Sequence, residues 1–174
     1  MNVNQAFFQR ERGKQIRPSW VALAVILLAC GLGITIPTRS ANSFSFTTID
    51  PPGATRTGVS GINRAGHVVG AFRDAGGKWH GFLRSATGTF TPIDVPGATG
   101  TYAHGINRAS QVAGFFEDEG GKQHGFVRAA TGAFTPFDVP GAADTGAIGI
   151  NDAGQIVGDF VDAGGRRHGF VTTR

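Results

Sequence analysis

Hydrophobic and polar positions divide the chain into two unlike parts. Before residue 44 the apolar positions are continuous. The run 20–36, from Trp20 to Ile36, is preceded by Arg10, Arg12, Lys14 and Arg17 and stopped by Pro37. It predicts an N-terminal apolar helix. After residue 44 the apolar positions come in short runs punctuated by Gly and Pro, the pattern of strands joined by tight turns. Strands are predicted at 57–63, 67–73, 78–85 and 89–94, with turns at 64–66, 74–77, 86–88 and 95–98. In the third of these, Phe82 and Leu83 are adjacent, so their side chains take opposite faces, and Val68 and Val69 do the same. Both faces of the sheet are apolar and both need covering.

The same four-strand pattern occurs three times with a period of 44 residues. Phe46, Phe90 and Phe134 open copies at 46–89, 90–133 and 134–174, and the copies align without a gap. One such copy cannot bury two apolar faces, whereas copies stacked on each other can. Four strands in ~40–50 residues is the size of a propeller blade. The fold class is therefore all-β, built of three 44-residue four-stranded repeats and β-propeller-like. Three copies are fewer than the usual 4–8 blades. Two chains completing a six-bladed ring as a homodimer, an open arc, and a β-trefoil-like closure all remain open. The third copy lacks a fourth strand, and the segment 45–50 can supply it, which slightly disfavours an arc.

Composition agrees with strands and excludes other classes. With 28 Gly in 174 residues, a helical body is disfavoured, since each Gly in a helix interior costs ~1 kcal/mol. The absence of a three-residue Gly period excludes collagen. The net charge of +4 resides entirely in residues 1–43. Residues 44–174 carry 11 basic and 11 acidic side chains. Phosphate-backbone binding needs clustered cations, so no nucleic-acid partner is expected. The leader has the basic, apolar and small-polar order of a secretory signal, with Ala41 and Ser43 offering small residues for cleavage before Phe44. An uncleaved anchor that attaches the protein to a membrane through residues 20–36 is the second reading. Leu27-Leu28-Ala29-Cys30 resembles a bacterial lipobox and makes a third, although Cys30 reads better as a small residue of the apolar run. All three place residues 44–174 beyond the inner membrane, and without Cys30 the body holds no cysteine for a disulfide.

Gly61-Ile62-Asn63-x-Ala65-Gly66-x-x-Val69-Gly70 and His80-Gly81-Phe82-Leu83, with their counterparts in the other two copies, resemble the bacterial extracellular repeats called the HAF family. The resemblance covers residues 46–174. It implies an exported, propeller-type protein without an assigned activity, and it supplies no catalytic residues.

Candidate chemistry is repetitive. His80, His124 and His168 recur once per copy. They are binding candidates as a ring of imidazoles, against the plainer reading of a repeated hydrogen bond to a neighbouring loop. Neither a metal nor any other cofactor is expected, because no carboxylate or Cys sits at ligand spacing beside them. His67 and His104 do not recur and read as surface positions. Asp50, Asp94 and Asp138 precede Pro-containing turns, and Asp74, Asp118 and Asp162 precede Gly-rich ones. One Asp per loop is too few oxygens for calcium, so these read as Asx turns, and Asn63, Asn107 and Asn151 as turn formers. No nucleophile elbow or phosphate loop is present. Two columns vary between copies and mark a contact face: Arg56, Gly100 and Asp144, and Trp79, Gln123 and Arg167. Trp79 reads as an exposed aromatic able to stack on a sugar. The expected function is a non-catalytic binding or cell-envelope scaffolding module for an extracellular glycan or protein. The alternative is a polysaccharide hydrolase or lyase, which needs paired carboxylates ~5–9.5 Å apart.

Overall fold

The computed structural model describes residues 43–173. The apolar segment 20–36, Cys30 and Ala41 lie outside the described residues, so the predicted helix and the processing readings do too. Phe46–Arg174 forms one compact unit, and it is all-β.

Counted from its opening strand, so that the strand begun at Phe90 closes it, the first copy folds as an antiparallel meander of β1 (Arg56–Ile62), β2 (Val68–Arg73), β3 (Trp79–Arg84) and β4 (Phe90–Ile93). Each strand lies within one residue of its predicted bounds. The next is β5 (Gly100–Ile106), β6 (Val112–Glu117), β7 (Gln123–Arg128) and β8 (Phe134–Phe137). The last is β9 (Asp144–Ile150), β10 (Ile156–Val161) and β11 (Arg167–Val171), one strand short. A single parallel bridge, Trp79 to Gly100, joins the first two meanders into one sheet. No sheet closes into a barrel among the described residues. Pro92 and Pro136 sit in β4 and β8, the outermost strands, where a missing N–H costs no ladder bond.

Sequence identity between copies carries through to local geometry. The ladder of the opening strand slips at Ser60, His104 and Ile148, three residues 44 apart. This repeated bulge bends each opening strand and raises its twist. The turn after it needs a left-handed residue: Gly66 and Gly154 supply it in the outer copies, and Ser110, at φ 58°, supplies it in the middle one.

The core lies between copies rather than within them. Val69 and Ile93 of the first copy pack with Ala103, Ile106, Val112 and Phe126 of the second. Ala113 of the second packs with Ala147 and Ile156 of the third. The opening strands come so close that a Cβ on Gly61 would stand 2.5 Å from the His104 carbonyl, and one on Gly105 would stand 2.9 Å from the Cα of Gly149. Only glycine permits that approach. The closure expected from residues 45–50 is not made within the chain. Phe46 is 93% exposed, residues 43–50 form no strand, and the outer edge of β11 pairs with no strand among the described residues.

Candidate binding surface

Each conserved-spacing histidine stands on the third strand of its copy, one residue before the glycine that lets the outer strand approach. In the first copy His80 Nδ1 is 2.9 Å from Asp94 Oδ1 and its Nε2 is 3.2 Å from Asp74 Oδ2. In the second, His124 Nδ1 is 2.9 Å from Asp138 Oδ2 and its Nε2 is 3.3 Å from Asp118 Oδ2. The ring faces are also occupied: Phe72, Phe116 and Phe160 stack on His80, His124 and His168 with centroids 5.2, 5.1 and 5.0 Å apart. The third copy differs. His168 Nε2 meets Asp162 Oδ2 at 2.9 Å, but its Nδ1 has no partner among the described residues.

The expectation that no carboxylate stands beside these histidines is therefore corrected. The acids lie 6 residues before each ring and, for His80 and His124, also 14 after it, where the meander folds both onto the ring. The expected Asx turns do form. Asp74 Oδ1 accepts the Lys78 N–H at 2.8 Å, Asp118 Oδ1 the Lys122 N–H at 2.9 Å, and Asp162 Oδ1 the Gly164 and Arg166 N–H groups. The backbone N–H of Lys78, then the His80 ring, holds Asp74 below the usual carboxylate value; Lys122 and His124 do the same for Asp118. For Asp162 the His168 ring acts first and the Arg166 N–H second. Among the described residues no cluster of three His, Cys, Asp or Glu is arranged to hold a metal ion.

The two variable columns meet each other across the seam between copies. Trp79 is half-buried, not free. Its ring tilts against Tyr102 of the next copy at 5.6 Å, and the Arg56 guanidinium carbon lies 5.7 Å from its centroid. Tyr102 continues the line onto Phe115 at 4.6 Å, and His104 stacks on the same Phe115 at 5.4 Å. At the second seam the Gln123 N–H donates to Asp144 Oδ1 at 2.9 Å. Arg167 pairs with Asp159 of its own copy. At the first seam an indole thus faces a glycine, whereas at the second Asp144 takes only the backbone N–H of Gln123 and the Gln123 side-chain amide donates to Glu117 Oε1 at 3.4 Å.

His67 and His104 are seam residues too, which corrects their reading as surface positions. His67 Nδ1 is 3.3 Å from Ser110 Oγ of the next copy. Burial pushes the His104 imidazole below its usual value, with Asp159 opposing. Burial, helped by Glu117, pushes the Tyr102 hydroxyl up.

One feature was not legible as such. Asn63, Asn107 and Asn151 do cap their turns: Asn63 Oδ1 accepts the Ala65 and His67 N–H groups, both at 3.0 Å. Their amide groups also form a ladder between copies. Asn63 Nδ2 donates to the Asn107 carbonyl and Asn107 Nδ2 to the Asn151 carbonyl, each at 3.1 Å. The ladder lines an open polar depression of about 340 Å³ with Arg64, Arg108 and Asp152 at its rim. Arg108 pairs there with Asp152 at 3.6 Å. The 44-residue recurrence of Asn was the available signal, but it does not say that the copies lie within hydrogen-bonding reach. No family model and no curated protein matches the chain.

Proposed function

We propose that this is an exported, non-catalytic β-repeat protein whose copies stack as propeller-type blades and present a repeated surface to an extracellular glycan or protein. The observation that carries this reading is the occupation of both repeated histidines of the first two copies, on both ring nitrogens and one face, by their own surroundings. His80 and His124 have both ring nitrogens on carboxylates and a face on Phe, and the carboxylates in turn hold the hairpin turns. Such groups stiffen a scaffold. A general acid or a nucleophile needs unlike groups converging on a space that substrate can enter. For the same reason the hydrolase or lyase reading has less support: Asp74 and Asp94 are tied to His80 rather than facing each other across a cleft.

Stacked blades have more support than a trefoil, which requires a closed barrel. The leader order and the likeness to HAF-type repeats support export. The contact surface lies along the seams, where Arg56, Trp79, Tyr102 and Phe115 form a line of half-exposed rings under a cation, suited to stacking on sugar faces. A glycan array probed with the purified protein tests this. Binding to at least one glycan class is expected, weakened severalfold by Trp79→Ala. A blank array together with release of reducing sugar from any polysaccharide would overturn the reading.

A further inference from the structure

We infer that a second copy of this chain docks on the first by strand exchange, with residues 46–50 of each chain forming the missing fourth strand against β11 of the other. This rests on the stacked-blade reading above, but not on glycan binding.

The internal seams define what each end of the stack requires. Ala103 and Ala147 are buried against the preceding copy, whereas Val59, at the same position of the first copy, is 52% exposed. Ile106 is buried, whereas Ile62 is 69% exposed. At the other end, Val69 and Ala113 are buried against the following copy, whereas Val157 is 49% exposed. Among the described residues the stack therefore ends in two apolar faces of opposite kind, each the counterpart of a face already mated twice inside the chain.

The strand inventory is complementary in the same way. Residues 46–50 read Phe-Thr-Thr-Ile-Asp and correspond to Phe90–Ile93 with Asp94 and to Phe134–Phe137 with Asp138. The internal registers pair Gly81 with Ile93 and Arg84 with Phe90, and Gly125 with Phe137 and Arg128 with Phe134. Translated by the repeat, they pair Gly169 with Ile49 and Thr172 with Phe46 of the partner.

Three vacant partner positions on the third copy match this strand. A Cβ on Gly81 would stand 2.7 Å from the Ile93 carbonyl, and one on Gly125 2.7 Å from the Phe137 ring, but one on Gly169 would meet nothing closer than the Gly158 carbonyl at 3.9 Å. Phe82 and Phe126 carry Phe90 and Phe134 edge-on at 5.7 and 5.5 Å, the position Phe46 would take on Phe170. The free Nδ1 of His168 awaits an acid, and Asp50 of the partner arrives there. The same translation brings Arg56 beside Arg167, the one unfavourable neighbour. Arg167 is already held by Asp159, and Arg56 lies over Trp79.

The described residues do not close on themselves. The Asn ladder runs one way: Asn107 Nδ2 reaches both Gln111 Oε1 and the Asn151 carbonyl, whereas Asn151 Nδ2 has only the matching Gln155 Oε1 bond at 2.8 Å. Each chain carries one such strand and one such edge, so two chains make two junctions and leave neither end open. Six stacked copies fall within the range of closed propellers.

The test uses the full chain in a Cys30→Ser background, expressed in a bacterium and purified as the cell leaves it. Two differently tagged chains are co-expressed, one with Thr47→Cys and the other with Val171→Cys, positions that face each other in the translated register. Opposed antiparallel residues lie ~4.5–5.5 Å apart at Cα, within disulfide reach. A disulfide between the two tags and a light-scattering mass of two chains are expected. Gly169→Ala, which meets open space in the single chain, should abolish both while leaving the circular dichroism spectrum and melting temperature of the fold in place. A disulfide formed only within a chain carrying both cysteines, a ladder of larger species, or no disulfide at all would each overturn the proposal. None of these results depends on the glycan array, so the two readings fail separately.

Discussion

Thr57 shows how a single residue can be out of step with its repeat. Its counterparts Thr101 and Thr145 are fully buried and accept the N–H groups of Val95 and Val139 at 3.2 and 3.1 Å. The residue that corresponds to those valines is Pro51, which has no N–H to give. Thr57 Oγ1 is consequently buried without a partner among the described residues. Thr57→Val should therefore raise stability by about 1 kcal/mol, whereas Thr145→Val, which strands the Val139 N–H, should lower it by about the same amount. Urea denaturation of the two variants checks the pair, and equal signs would exclude this account. The orphaned oxygen was legible once the copies were aligned, because Pro51 is the only departure from Val in that column. Its burial was not, since that comes from the neighbouring strands.

Within an element, the hairpin turns and the histidines act together. Asp74, Asp118 and Asp162 each accept turn N–H groups and a ring N–H of the following strand, and each is held below its ordinary value of 3.8. A carboxylate depressed in the folded state stabilises the fold above its unfolded value. That contribution is lost as pH falls through the lower, folded value. Stability should accordingly be flat in these groups above about pH 4 and fall below it. Asp74→Asn, Asp118→Asn and Asp162→Asn combined should flatten that acid limb, measured as melting temperature against pH. The copies should also differ. His124 joins the turn before β7 to the residue after β8, whereas His168 has one acid only. His124→Ala should cost about 1 kcal/mol more than His168→Ala, as read from denaturation midpoints of the two variants. Turn chemistry was predictable, since Asp before Gly-Gly and Asn before x-Ala-Gly act locally. The second acid on His80 and His124 was not, because it lies 14 residues away and depends on the outer strand folding back.

At the scale of the molecule, stability resides in the seams. Val69, Ala103, Ala113 and Ala147 are buried by the copy next door, not by their own. No copy is expected to persist alone, and unfolding should spread from one copy to the next. Ala113 is fully buried facing the third copy. Ala113→Arg should cost roughly 3 kcal/mol, because it would force a long cation into the packed apolar cluster with Ala147 and Ile156. Thermal unfolding followed by circular dichroism checks this, and a loss below 1 kcal/mol would place the core elsewhere. The variable columns illustrate the same point. Trp79 and Gly100, or Gln123 and Asp144, looked like a free recognition face because they change between copies. In the folded chain both pairs lie at seams, Trp79 opposite Gly100 and the Gln123 backbone N–H on Asp144.

Alternation, turn residues and a period of 44 determined by themselves the strands, their order and the need for copies to lie against copies, because these follow from short-range sterics and from apolar groups on both faces. Only the tertiary structure decided which side chains meet across a seam, that both nitrogens of His80 and His124 are taken, and that the two outer faces are unlike and left uncovered by the described residues. Those outcomes depend on the angle and distance between whole meanders. Packing sets both, and no local pattern of residues encodes them.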